Sequence, residues 1–261
     1  MNSCQMISVP GGAERRVRFW SISEGAPGDL PASIMPRYGK LLDYVRGFLC
    51  DRHPFRKGAV CPFVPGSLAR DRIFFSYAPE PAPDGGEEEA LLDALLDAGV
   101  DFCERLQIGA RSPGALFILF PGDYPVECLL SLHLRRKVKA VERGFMIGVL
   151  WPDNPAPSIH AGAYYPLRTP LPAIVVRSMA ALDLKFLDPE FYNLKNRIRF
   201  LRKFAATFDR ENGSRLEAEQ VRAARRMLFK HQCMLGLCRL SQLALAGGLL
   251  AAGWIGMRAY V

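Results

Sequence analysis

Ala115-Leu-Phe-Ile-Leu-Phe-Pro-Gly122 is a continuous apolar run stopped by a proline and a glycine. A run this short and this apolar, bounded by turn residues, predicts a strand buried on both faces. Val126–Arg143 follows as a helix with Arg135, Arg136, Lys137 and Lys139 near its C-terminal end, closed by Gly144. Phe145-Met-Ile-Gly-Val-Leu-Trp151 is then a second strand of the same kind. A strand, a helix and a strand with short connections place both strands in one sheet with the helix packed on it.

Working outward, Asp71–Ala78 holds the β-prone Ile-Phe-Phe-Ser-Tyr, and Pro79–Gly86 reads as a proline-rich linker. Glu87–Gln107 is a helix with acids in its first turn. A proline-rich excursion over Pro152–Pro172 precedes a further strand, Ala173–Ser178, and helical segments around Pro189–Phe208. On the N-terminal side, Tyr38–Cys50 has Leu41, Leu42, Val45, Phe48 and Leu49 at helical spacing. The first 33 residues are Gly/Pro/Ser-rich and predict an arm with at most one strand, around Val17–Ile22. The expected fold is therefore α/β, one mixed sheet packed with helices, plus a long C-terminal helix. The divisions are an arm over 1–33, an α/β domain over 34–212, and a basic helix with a hydrophobic continuation over 213–261.

The chain has 261 residues, 49% of them apolar, which supplies a sizeable core without disulfides. Its seven cysteines form no CxxC pair and no regular spacing, the pattern of reduced thiols rather than a secreted disulfide frame. Met1–Trp20 has no apolar run of signal-peptide length. The formal charge is +8, but its placement argues against nucleic acid as a partner: the cations of Arg199–Arg239 lie directly before the most apolar segment. Ser214-Arg-Leu-Glu217 is a capping box that opens the last helix. Leu240–Met257 then runs without a charge, about 27 Å of helix, and predicts a membrane anchor with the body on the cytoplasmic face. Ala244, Gly248, Ala252 and Gly256 recur every fourth residue, a small-residue seam that predicts a homodimer within the membrane.

Candidate chemistry centres on His53-Pro-Phe-Arg-Lys-Gly-Ala-Val-Cys-Pro-Phe-Val-Pro-Gly-Ser-Leu68. Pro54, Pro62 and Pro65 each fix φ and remove a backbone donor, so the stretch predicts a shaped loop. Cys61 lies within it with His53, Arg56 and Lys57 just upstream, neighbours that suit a thiolate nucleophile or a soft metal ligand. Cys61 and His53 are the candidate catalytic pair, and Cys61 the candidate metal ligand. The four histidines, His53, His133, His160 and His231, make no i/i+4 pair and no HExxH, and no GxSxG, Walker loop or GxGxxG occurs. Asp123, after the central strand, is read as a plain turn residue capping the next helix. Arg168 and Arg177 flank the last strand and are candidate binders of a carboxylate or phosphate.

Three ordered segments resemble a bacterial domain family of unknown function. They are the His53-Pro-x-x-x-x-Gly-x-Val-Cys-Pro-Phe-Val-Pro loop, the Gly144-Phe-Met-Ile-Gly stretch, and Arg168-x-Pro-x-Pro followed by Arg177-x-Met-x-x-x-Asp183. The resemblance covers roughly residues 38 to 208. It implies histidines where this chain has Leu150-Trp151 and Ser178. The Cys-Pro-Phe loop is also similar to one in the YqcI/YcgG family, which includes haem-dependent oxygenases. That similarity implies haem as cofactor, Cys61 as its axial thiolate, Arg168 and Arg177 as propionate partners, and oxidative chemistry. The other expectation is a membrane-associated scaffold that has lost the histidines and catalyses nothing.

Overall fold

The computed structural model describes residues 3–8, 14–79, 88–210 and 213–258, with side chains described as far as Cys238. The chain divides into two compact units, Met1–Met179 and Ala180–Val261. The expected linker over Pro79–Gly86 lies, but for its first residue, outside the described residues.

The first unit is built on one mixed six-stranded sheet. Its strands are β1 (Ser3–Ser8), β2 (Glu14–Ser21), β3 (Ile73–Tyr77), β4 (Ala115–Leu119), β5 (Phe145–Leu150) and β6 (Ala173–Ser178), in the order β1-β2-β3-β4-β6-β5. Only β3 and β4 run parallel; the other neighbours are antiparallel. Alternation along each strand separates two cores. Leu116, Ile118 and Phe120 of the central run join Phe74, Ile147 and Val176 on one side, whereas Phe117 and Leu119 join Phe75, Trp20 and Ala173 on the other. The central apolar run is thus buried on both faces, as its composition requires.

The first core is covered by α3 (Glu88–Arg105) and α4 (Val126–Glu142). Gly99 lets α3 approach closely, since a Cβ there would stand 3.0 Å from Leu116 and 3.2 Å from Ile118. The cations of α4 have partners on α3. Arg135 bridges Glu89 and Asp93, Arg136 bridges Asp93 and Asp97, Lys139 reaches Asp97 at 2.8 Å, and Arg143 joins Asp101 and Glu104. Burial alone would raise the Asp97 carboxyl, but Arg136 and Lys139 outweigh it and hold it below its ordinary value. A hollow of about 10 Å³ lined by Leu96, Asp97, Val100, Arg136, Lys139, Ala140 and Arg143 belongs to this seam and has room for about one water.

The second core is covered by α1 (Met35–Asp43), a π-helical turn over Tyr44–Phe48 that continues it, and α2 (Val64–Leu68). Trp20 donates from Nε1 to the Tyr38 hydroxyl at 2.9 Å inside this core. The structure differs here from the sequence reading in two places. The N-terminal stretch forms two strands rather than at most one, and the end of the proline-rich loop winds into the short α2. Pro65 suits its first turn because the N–H it lacks would have no intrahelical partner there.

The second unit comprises a 3₁₀ segment (Ala181–Phe186), α5 (Leu194–Phe208) and α6 (Arg215–Arg258). The capping box forms as read: Glu217 N–H donates to Ser214 Oγ at 3.2 Å, and Ser214 N–H to Glu217 Oε2 at 2.6 Å. Asp188 accepts from Arg197 Nε and, at 2.7 Å, from the buried His231 Nε2, pinning α6 to the residues before α5.

The membrane expectation is corrected. Among the described residues no helix is long and apolar enough to cross a membrane. The described part of α6 carries Arg215, Glu217, Glu219, Arg222, Arg225, Arg226 and Lys230, a charge density incompatible with hydrocarbon. The backbone over Leu240–Met257 is helical, but its side chains, the small-residue seam included, lie outside the described residues. The anchor, the cytoplasmic-face placement and the homodimer through Ala244, Gly248, Ala252 and Gly256 lose their support with it.

Candidate functional site

The His53 loop is a closed hairpin. An antiparallel bridge pairs Arg52 with Ala59, His53 N–H donates to Gly58 O at 2.9 Å, and Val60 N–H donates to Asp51 O at 2.8 Å. Gly58 makes the return at φ +92°, a left-handed conformation that disfavours other residues. Arg56 then locks the tip: its guanidinium donates to the carbonyls of Lys57 (2.9 Å), Ala59 (2.6 Å) and Val60 (2.9 Å). The cation beside Cys61 in sequence is therefore occupied in holding the loop.

His53 is 3% exposed. Its Nδ1 accepts the Phe55 N–H at 3.0 Å, so the neutral ring carries its proton on Nε2, which lies 3.4 Å from Ser158 Oγ. In this tautomer Nε2 has no lone pair with which to take the Ser158 proton, and the pair cannot act as a nucleophile and its base. Loss of hydration, with Arg56 and His160 nearby, pushes the imidazole below its ordinary value and favours the neutral form.

The partner loop comes from the proline-rich excursion. Ser158 and Ala161 bridge across a turn, Ser158 Oγ accepts the His160 N–H at 3.2 Å, and Ser158 N–H donates to Tyr164 O at 2.6 Å. Tyr164 and His160 place their rings edge-on to His53, with centroids 5.0 and 5.7 Å away. Phe55 and Phe48 approach Tyr164 at 5.9 and 6.1 Å. The Tyr44 hydroxyl donates to Pro166 O at 2.7 Å, tying this loop to the π-helical turn. Two loops far apart in sequence are thus braced around one buried histidine.

Cys61 is half-buried and packs with Cys50, Phe48 and Val60 against the second core. Among the described residues no hydrogen bond reaches its sulfur. Burial, then the nearby Cys61 and Tyr164, push the Tyr44 hydroxyl well up, and burial, Cys61 and Asp51 push the Cys50 thiol up. The structure does not bring the candidate catalytic pair into hydrogen-bonding contact.

Arg168 is exposed; its Nε donates to Asn154 O at 3.2 Å and its guanidinium lies 4.1 Å from the Tyr165 ring centroid. Arg177 pairs with Ala115 near the opposite end of β6 and donates to Ser178 O at 3.0 Å. Arg168 lies in the loop before β6, whose rise from Ala173 to Arg177 is roughly 13 Å. Among the described residues no three His, Cys, Asp or Glu are grouped to hold a metal ion. Asp123 stands in a turn as expected but does not cap α4, whose N-cap position is Pro125, with no side-chain cap.

What the geometry does present is an exposed rim on a braced base. Phe55 and Ile159 are each 58% exposed, and Leu167, His160, Arg52, Lys57 and Arg168 are exposed around them. Ser158, His160 and Tyr164 escaped the sequence reading. Their only signal was the length of the proline-rich excursion, because the contact with His53 spans 105 residues.

A family model described as "domain of unknown function (DUF6875)" matches residues 38–215. That description carries no haem and no activity and does not bear on the similarity to the YqcI/YcgG loop, and the haem and oxidative reading loses its support. No curated protein and no solved structure matches the chain.

Proposed function

Since the chain belongs to the family of the domain of unknown function DUF6875, and that family supplies no activity, we propose from the site alone that this protein is a peptide-binding module. Its contact face is the rim formed by the His53 hairpin and the Ser158–Arg168 loop. The observation that carries this reading is Phe55, 58% exposed on a hairpin whose base is fixed by the 3%-exposed His53. A large apolar side chain held in water on a rigid support favours a protein partner, since ordering costs are already met before binding. Arg52, Lys57 and Arg168 surround the apolar centre, and only Asp51 and Asp153 oppose them among the exposed charges of these loops. The partner expected is therefore an acidic segment with an apolar or aromatic anchor.

His53 serves as the structural support of this face. Cys61 lies beneath it, Arg168 is its recognition cation, and Arg177, at the far end of β6, stands outside it. Selection of a displayed random-peptide library on the full chain tests the reading. Enrichment of acidic sequences with a recurrent apolar anchor, lost on a Phe55→Ala chain, supports it; no enrichment, or enrichment unaffected by that substitution, overturns it.

A further inference from the structure

The hairpin that carries His53 also sets two thiols against each other. The bridge between Arg52 and Ala59 and the bond from Val60 N–H to Asp51 O bring the two arms together, and the ladder ends there, where Cys50 N–H and Asp51 N–H both donate to Gly47 O. Beyond it Cys61 N–H donates at 2.9 Å to Leu49 O, the carbonyl of the peptide that joins Leu49 to Cys50, so the two cysteines lie side by side. One such backbone hydrogen bond across the arms keeps the two Cα atoms within the range of roughly 4.4–6.8 Å a disulfide spans. Both side chains pack against the same core cluster. Both are half-exposed rather than sealed, unlike the buried Cys103.

We propose that Cys50 and Cys61 form a redox-responsive thiol pair, a modification site in which a peroxide-class oxidant closes a disulfide across the base of the His53 hairpin. Hydrogen peroxide oxidises one thiol to a sulfenic acid and releases one water. The other sulfur displaces the hydroxyl; the S–S bond forms, the S–O bond breaks and a second water leaves. Two thiols thus give up two electrons and two protons, and one peroxide becomes two waters. Cys50, whose thiol is pushed up by burial and whose Sγ–H donates to Val45 O at 3.6 Å, is the resolving sulfur, and Cys61 the one attacked first. Reduction by a dithiol restores the hairpin. This inference goes beyond the binding reading and does not depend on it.

The test uses the full chain, fully reduced, then exposed to hydrogen peroxide, alkylated and digested with trypsin. Cleavage after Arg46, Arg52, Lys57 and Arg70 separates the two cysteines onto peptides 47–52 and 58–70. The expected product is those two peptides joined, absent before oxidation and abolished by dithiothreitol. In a Cys50→Ser chain the product disappears and Cys61 proceeds to sulfinic acid. The proposal is overturned if Cys50 and Cys61 both remain alkylatable under conditions that oxidise the exposed Cys4 and Cys233. It is equally overturned if the wild-type chain joins Cys61 to another cysteine instead.

Discussion

The backbone N–H of Phe55 donates to Nδ1 of His53 at 3.0 Å, so one hydrogen bond both fixes the histidine's tautomer and aims the most exposed aromatic of the loop outward. Replacing His53 by Ala removes that acceptor and the ring that Tyr164 and His160 pack against. A loss of about 1–3 kcal/mol is expected, with faster tryptic cleavage at Arg52 and Lys57. Denaturant unfolding and limited proteolysis measure both. Because the folded value of His53 lies below its ordinary one, the unfolded chain binds more protons in that interval. Its contribution is complete above the ordinary histidine value, about 6.5, and is lost as pH falls through the folded value.

A larger pH effect comes from His133 on α4. Burial and Lys137 push its imidazole down to about 4, against a backbone hydrogen bond at Ile147 that favours the charged ring. The sign is the same: stability is full above pH about 6.5 and declines through pH 4, by an amount on the order of 3 kcal/mol. Thermal unfolding followed from pH 7 to pH 4 should show this fall, and a His133→Gln chain should show a visibly shallower one.

The ion-pair seam between α3 and α4 predicts a salt response. Arg143 serves both Asp101 and Glu104, but each of the three side chains is partly in water, so solvent screening limits its worth. Arg143→Ala is expected to cost about 1 kcal/mol at low salt and less at high salt. Equal losses at both ionic strengths would assign the effect to packing of the arginine stem instead.

Trp20→Phe tests the second core. It removes the donor to the Tyr38 hydroxyl while preserving most of the apolar volume. Leaving that buried hydroxyl with one fewer partner should cost about 1–3 kcal/mol, read as a lowered urea midpoint at constant slope.

Legibility in the sequence followed burial. The runs that became β4, β5 and β6, and the helices α3 and α4, announce themselves because both their faces or a full stripe are apolar. Of the N-terminal hairpin only β2 does so, as the one strand expected around Val17–Ile22, its start masked by Arg15 and Arg16. β1 gains its place only through pairing with β2, a long-range fact that local pattern cannot encode. Tyr38–Cys50 read as one amphipathic helix, yet the helix starts at Met35 and widens into a π-helical turn before the hairpin. In the site, His53 and Cys61 were visible because prolines and a cysteine are rare, locally informative residues. Ser158 and Tyr164 were not, because nothing near them in sequence refers to a histidine a hundred positions earlier. The membrane reading rested on Leu240–Met257, whose side chains lie outside the described residues, and among the described residues no helix is long and apolar enough to cross a membrane.

The central claim, that the rim around Phe55 and Arg168 is a peptide-binding face, is tested most directly by the affinity of the full chain for a peptide selected from a library. The measurement compares wild type with a Phe55→Ala, Arg168→Ala chain of equal thermal stability. The account predicts at least a tenfold weaker binding, about 1.4 kcal/mol or more, with the midpoint of unfolding unchanged. Equal affinity of the two chains would contradict it.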